Sequence, residues 1–188
     1  MKTQIYFVLG PTASGKSKFA LSLASKLNGE IINADSMQIY NELSILTARP
    51  TIKDQKKIKH HLYGIVNGNV RFNVQKWCEE ASKKINYLVN QNITPILVGG
   101  TGLYIESLIN GIVSIPSIPE KVKIESDKMI LKIGKENFFN LVKELDSDAM
   151  INIAPNDIQR IRRIWEVNFF TKKKFSDCLL YTSPSPRD

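Results

Sequence analysis

Near the start of the chain, Gly10-Pro11-Thr12-Ala13-Ser14-Gly15-Lys16-Ser17 carries the spacing G-x-x-x-x-G-K-[ST]. Glycines at both ends let backbone N–H groups turn inward around phosphate oxygens, and the helix that such a loop opens adds the positive end of its dipole. Lys16 brings a mobile cation, and the Ser17 hydroxyl is a candidate ligand for Mg²⁺. The pattern predicts binding of a di- or triphosphate and leaves open what is done with it. A second candidate is Asp35, in Asn33-Ala34-Asp35-Ser36-Met37-Gln38-Ile39-Tyr40. Three roles stay open for it: a magnesium ligand, a base for a nucleophile, or the cap of the next helix. Gln38 has the amide that reads a base edge, although a lone Gln is ordinarily surface. Gly99-Gly100-Thr101-Gly102-Leu103-Tyr104 is a second glycine-rich loop, with the Thr101 hydroxyl where a ligand can come close.

Two further groups have plainer readings. Neighbouring residues on a strand point to opposite faces, so His60 and His61 are expected to hydrogen bond or touch phosphate, not to share a metal. In Gln159-Arg160-Ile161-Arg162-Arg163, Arg160 and Arg163 share one helical face. That face is either an exposed basic stripe or a contact for a nucleic-acid backbone.

These residues need elements to hold them. Gln4 to Leu9 is a short apolar run that reads as a strand, and Lys16 to Leu27 has apolar residues at helical spacing. Glu30 to Ala34 reads as a second strand, Leu62 to Val66 as a third, and Thr94 to Val98 as another. Asn73 is placed to cap a helix running to about Asn90, and a further helix starts at Leu103. Strands alternating with helices predict an α/β fold with a parallel sheet flanked by helices, whose ligands bind beyond the carboxyl ends of the strands. Residues 1–114 form this core. Residues 115–175 form a helical insertion subdomain, opening on the linker Ile115-Pro116-Ser117-Ile118-Pro119, with a helix beginning at Pro155-Asn156-Asp157. Residues 176–188, rich in Pro and Ser, show no helical period and read as a tail outside both.

Composition bounds the function classes. The chain has 188 residues, and no run of 18 apolar residues predicts a membrane span. Two cysteines, Cys78 and Cys178, exclude a disulfide scaffold and fit a reducing cytoplasm. The formal net charge of +8 fits either a solvated basic surface or a polyanionic partner.

Taken in order, the blocks resemble the tRNA dimethylallyltransferases, which isopentenylate adenosine in tRNA. The resemblance rests on Gly10 to Ser17, Asn33 to Tyr40, Thr47-Ala48-Arg49-Pro50, His60-His61-Leu62, Pro95 to Tyr104, and Asn156-Asp157 with Gln159-Arg160 and Arg162-Arg163. It implies a P-loop NTPase-like sheet and transfer of a dimethylallyl group from its diphosphate to the exocyclic amine of the adenosine 3′ of the anticodon. Gly10, Pro11, Thr12, Ala13, Ser14, Gly15, Lys16 and Ser17 would then hold the donor diphosphate, with Mg²⁺ on Ser17. Asp35 would be the general base, with Lys16 and Thr101 also catalytic. Asp35, Ser36, Met37, Gln38, Thr101, Lys123, Gln159, Arg160, Ile161, Arg162 and Arg163 would contact tRNA. The partners implied are tRNA and dimethylallyl diphosphate, for a cytoplasmic monomer with no membrane contact. The stretch Asn41-Glu42-Leu43-Ser44-Ile45-Leu46 departs from the family's usual glycine-containing one. Family members are also longer, so the chain is read as truncated at its C-terminus, with 176–188 of other origin. Three rival readings stand beside this one: a small-molecule P-loop kinase, an adenylate isopentenyltransferase, and a P-loop remnant that only binds nucleic acid.

Overall fold

A computed structural model describes residues 4–70, 72–111 and 117–180. The chain divides into two units, Met1–Asn110 and Gly111–Asp188. Among the described residues, β1 (Tyr6–Leu9), β2 (Gly29–Asn33), β3 (His60–His61) and β4 (Thr94–Gly99) form one parallel sheet in the order β1-β4-β2-β3. β4 is buried on both faces from Pro95 onward, which is why Pro95-Ile96-Leu97-Val98 is a continuous apolar run and not an alternating one. Helix α1 (Lys16–Leu27) covers one face, where Ala20 and Ala24 pack with Val8, Ile31, Ile96 and Val98. Ile32 and Leu97, of the opposite parity, point to the other face. There α3 (Val74–Asn90) packs against β2 and β4.

Local chemistry fixes the ends of these helices. Asn28 closes α1 in the left-handed conformation (φ 47°) and returns its N–H to the Ala24 carbonyl. The Asn73 side chain accepts from Lys76 N–H at 2.9 Å and caps α3, as its sequence position predicts. Trp77 of α3 stacks on Tyr104 of α4 (Gly102–Asn110), ring centroids 4.5 Å apart. One short helix, α2 (Ile52–Lys57), lacks the apolar period that would announce it, yet its Thr51–Asp54 capping box is written in the sequence.

The third strand differs from expectation. It is His60–His61, and Leu62 to Val66 is not a strand. Leu62 and Gly64 take left-handed φ values of 62° and 59°, which bends the chain away from the ladder. The segment lies instead along residues 38–41, where Tyr40 and Val66 form an isolated parallel bridge and the N–H groups of Gly64 and Ile65 donate to the Gln38 and Ile39 carbonyls. The histidines hydrogen bond, as expected: His61 Nε2 donates to Glu30 Oε2 at 2.5 Å and His60 Nδ1 to the Ile58 carbonyl at 2.7 Å. No described cluster of His, Cys, Asp or Glu is arranged to hold a metal.

The second unit is helical: α5 (Glu120–Leu145), α6 (Ser147–Met150), α7 (Ile158–Thr171) and α8 (Phe175–Leu180). α5 is broken at Gly134, whose φ of 79° no side-chain-bearing residue adopts readily. Phe138, Val142, Ile161, Ile164 and Trp165 are central to its core. Asp157 caps α7 through Arg160 N–H. The first residues after 175 are helical, unlike the expected irregular tail; residues 181–188 and most of the expected linker lie outside the described residues. The reason is Asp146. Burial opposes its ionisation, but N–H groups of Ser176 and Ala149 outweigh this and hold its carboxyl below the usual range, anchoring the start of α8. No described helix is long and apolar enough to cross a membrane.

Burial lowers the pKa of both His60 and His61 below the ordinary 6.5, against the pull of Glu30 on His61. Folded histidines that resist protonation contribute stability above the unfolded pKa and lose it as pH falls through the folded value. The melting midpoint is therefore expected to fall between about pH 7 and about pH 5.5, and less so in His61→Asn. A midpoint flat across that range would contradict this account.

Candidate functional site

Three loops leave the carboxyl ends of β1, β2 and β4 and are stitched together by backbone. Gly10 N–H donates to the Gly99 carbonyl at 3.4 Å, Ala34 N–H to Val98 at 2.8 Å, and Thr101 N–H to Ala34 at 3.3 Å. Gly99 sits so close to Ala34 that a Cβ built on it would overlap the Ala34 carbonyl. Glycine is thus required at this crossing by packing.

The phosphate loop between β1 and α1 has the shape its sequence predicts. Ala13 (φ 65°) and Gly15 (φ 82°) turn through the left-handed region, and no side chain caps α1. Its first-turn N–H groups therefore have no side-chain partner and suit an anion. Lys16 Nζ rests on the Pro11 carbonyl of its own loop, at 3.0 Å. A cavity of about 540 Å³ is lined by residues 12–18 of this loop together with Asp35, Met37, Gln38, Leu46, Thr47 and Ala48.

Asp35 is positioned by its neighbours. The buried Asn33 side chain accepts Asp35 N–H at 2.9 Å and donates to the Asp35 and Leu62 carbonyls, while Trp77 Nε1 donates to the Asn33 carbonyl at 2.8 Å. Asp35 Oδ1 accepts Met37 N–H at 2.9 Å, so the carboxylate does cap a turn. No described residue bonds its Oδ2. Thr101 Oγ1 accepts Ser36 N–H at 3.0 Å and lies 3.4 Å from the Ser36 hydroxyl, tying the second glycine-rich loop to the Asp35 loop. Gln38 Nε2 donates to the Thr47 carbonyl at 2.9 Å. Burial, aided by the Asp35 charge, raises the Tyr63 pKa, and burial pushes Tyr104 up to about 12, so both phenols stay protonated.

The expected tRNA contacts of the second unit are held as follows. Lys123 pairs with Glu120 at 2.8 Å. Gln159 and Arg160 are exposed, with Arg160 Nε 3.3 Å from Asp157. Arg162 is bound to Asp127 at 2.6 Å and to the buried Glu166 at 3.4 Å. Ile161 corrects the sequence reading: it is fully buried in the unit's core, so its side chain packs and does not face a ligand.

The model of the IPP transferase family matches residues 38–187, reaching into the stretch from 176 that the sequence sets apart. The chain belongs to the IPP transferase family. Among its relatives, the tRNA dimethylallyltransferase of Pelagibacter ubique is 46% identical over 187 residues, spanning 100% of this chain and 60% of the relative. That of Parvibaculum lavamentivorans is 41% identical over 90% of this chain and 54% of the relative. The chain thus spans little more than half the length of the curated relatives it matches. A solved eukaryotic dimethylallyltransferase acting on tRNA superposes with a TM-score of 0.82 at 28% identity, covering 97% of this chain and 46% of that one. The tRNA isopentenylpyrophosphate transferase of Bacillus halodurans gives a TM-score of 0.58 at 32% identity, covering 90% of this chain and 56% of that one. The solved relatives bear out the P-loop-like parallel sheet.

Some groups that build the IPP transferase cleft were not singled out as site residues in the sequence. Leu46, Thr47 and Ala48 close one wall, and Arg49 donates to the Tyr40 carbonyl and, at 3.3 Å, to that of Asn41. The Thr47–Pro50 block carries part of the resemblance, but nothing in its spacing says that it folds back over the phosphate loop. Asn33 was legible in principle, as a polar residue inside an apolar strand.

Gly99→Ala is expected to cost about 1–3 kcal/mol in chemical denaturation, because backbone and not a flexible side chain must move. Gly102→Ala meets nothing within 4 Å and is expected to change stability by no more than about 0.5 kcal/mol. Equal costs at the two sites would contradict the close crossing.

Proposed function

We propose that the chain carries the catalytic core of a tRNA dimethylallyltransferase, moving the dimethylallyl group of dimethylallyl diphosphate to N6 of the adenosine 3′ of the anticodon. One observation carries this reading: the phosphate loop and Asp35 line a single cleft. The names of the relatives support the choice of donor and acceptor.

The chemistry fits that arrangement. The adenine amine is a weak nucleophile because its lone pair is delocalised into the ring. As its nitrogen bonds the allylic carbon, the allylic C–O bond breaks and diphosphate leaves with the electron pair. Asp35 accepts the amine proton through Oδ2, while Oδ1 stays on Met37 N–H and keeps the carboxylate aimed. Loop N–H groups and Lys16, released from the Pro11 carbonyl, meet the charge growing on diphosphate. Ser17 Oγ lines the same cleft and is a hard oxygen donor that would hold Mg²⁺ together with oxygens of the diphosphate. Bound there, Mg²⁺ supplies positive charge against the leaving diphosphate. The adenine must leave its stack to reach Asp35. Ser36, Met37, Gln38 and Thr101 stand beside the carboxylate as tRNA contacts, with Lys123, Gln159, Arg160, Arg162 and Arg163 as those of the second unit. We read the reaction as cytoplasmic and as the work of one copy of the chain.

Asp35→Asn keeps an acceptor for Met37 N–H but removes the base. It is expected to lower kcat for transfer to tRNA by about 10²–10⁴-fold with little change in KM for the diphosphate donor. Full activity in this variant would remove Asp35 from the chemistry.

A further inference from the structure

Leu46, Thr47 and Ala48, which line the cleft with the phosphate loop, belong to the loop 43–48. Most of its hydrogen bonds are local. Thr47 N–H and its hydroxyl both donate to the Leu43 carbonyl, at 3.1 and 2.6 Å, and Ala48 N–H donates to Ile45 at 3.2 Å. These bonds give the loop a shape without fixing where it sits. Apolar burial does not hold it down, because Ile45 and Leu46 are 91% and 85% exposed. Yet Ala48 takes a left-handed φ of 49° without being glycine, which persists only where the surroundings impose it. Among the described residues, two side chains tie the loop to its surroundings. Gln38 Nε2 donates to the Thr47 carbonyl at 2.9 Å. Arg49, just after the loop, reaches back before it: its Nη2 donates to the Tyr40 carbonyl and, at 3.3 Å, to that of Asn41. Those residues are anchored in turn, since Asn41 N–H donates to the Val66 carbonyl at 2.8 Å. Gly64 makes the room: a Cβ built on it would overlap the guanidinium, 2.8 Å from Arg49 Cζ.

We infer that Arg49 is a positioning residue for the diphosphate donor: its guanidinium clasps the base of the loop 43–48 and holds Leu46 to Ala48 in place as a wall of the cleft before the donor arrives. The inference rests on the proposed reaction for the identity of that donor. The way Arg49 is held supports it. No described carboxylate pairs with Arg49, and its Nε is buried without a hydrogen-bond partner. A buried donor left unsatisfied opposes folding, so the guanidinium is kept there by what its other nitrogens do. What they do is close this loop. A wall already in place spares the donor the entropy of ordering it. With the clasp open, each donor that binds must order the loop itself. The loss therefore falls on donor affinity. It does not fall on proton transfer at Asp35, whose backbone and carboxylate are held separately by Asn33 and by Met37 N–H.

Two variants break the clasp from opposite sides. Arg49→Met removes the donors and keeps an apolar stem, and Gly64→Ala displaces the guanidinium. Binding of dimethylallyl diphosphate with Mg²⁺ is measured by calorimetry on the full chain, beside steady-state transfer to tRNA. Each variant is expected to weaken the donor about tenfold, the loss of one hydrogen bond to a charged group. KM for the donor rises accordingly, with kcat at saturating donor retained. The double variant is expected to bind no more weakly than either single one, because both changes open one contact. A protein that is merely destabilised has a smaller folded fraction, which lowers kcat and leaves KM where it was. Should one variant fail to fold, the other decides. Unchanged donor affinity, or losses that multiply in the double variant, overturns this inference alone. A wild-type chain that binds no donor overturns it together with the proposed function. Donor binding without transfer to tRNA overturns the proposed function, and the affinities of the variants still decide the role of Arg49.

Discussion

Where β4 ends, the backbone of Gly99 presses on that of Ala34 with no room for a side chain between them. That contact sets the distance between the loops after β2 and β4. The Gly10–Gly99 hydrogen bond then brings the phosphate loop to the same point. Everything the site does depends on this convergence. A phosphate loop alone recognises a polyanion, and a carboxylate alone in a turn is a cap. Side by side in one cleft, they can hold a leaving diphosphate and take a proton from the incoming nucleophile.

On the proposed function, the carboxylate serves structure and chemistry together. The sequence leaves three roles open for Asp35: a magnesium ligand, a base or a cap. It caps with one oxygen, on Met37 N–H, and keeps the other for the cleft. The buried Asn33, itself held by Trp77, fixes the backbone on which this division depends. Arg162 in the second unit is the opposite case. Its charge contributes to a basic composition, but Asp127 and Glu166 already engage it, as Asp157 engages the more exposed Arg160.

Much of this was legible in the residues. The phosphate loop, α1, α3 with its Asn73 cap, and the apolar run of β4 follow from period, capping and glycine placement. The third strand was not, because Leu62 and Gly64 adopt left-handed conformations that an apolar run does not announce. Helix α8 was hidden for a different reason. It is anchored by Ser176 N–H on Asp146, a contact 30 residues apart in sequence that leaves no local pattern. Within one motif, Arg160 and Arg163 mark a polar face while Ile161 belongs to the core. The wall made by Leu46 to Ala48 depends on Gln38 reaching the Thr47 carbonyl, a tertiary bond that spacing alone does not predict.

On the proposed function, the phosphate loop serves a leaving diphosphate and not a transferred phosphoryl group. The most direct measurement offers the protein unmodified tRNA with Mg²⁺ and either carbon-labelled dimethylallyl diphosphate or γ-phosphate-labelled ATP. Carbon label is expected in the tRNA, lost when the acceptor adenosine is replaced, with no phosphate label in any acceptor. Phosphate transfer from ATP to a small acceptor, with no carbon label in tRNA, would contradict it and return the cleft to kinase chemistry.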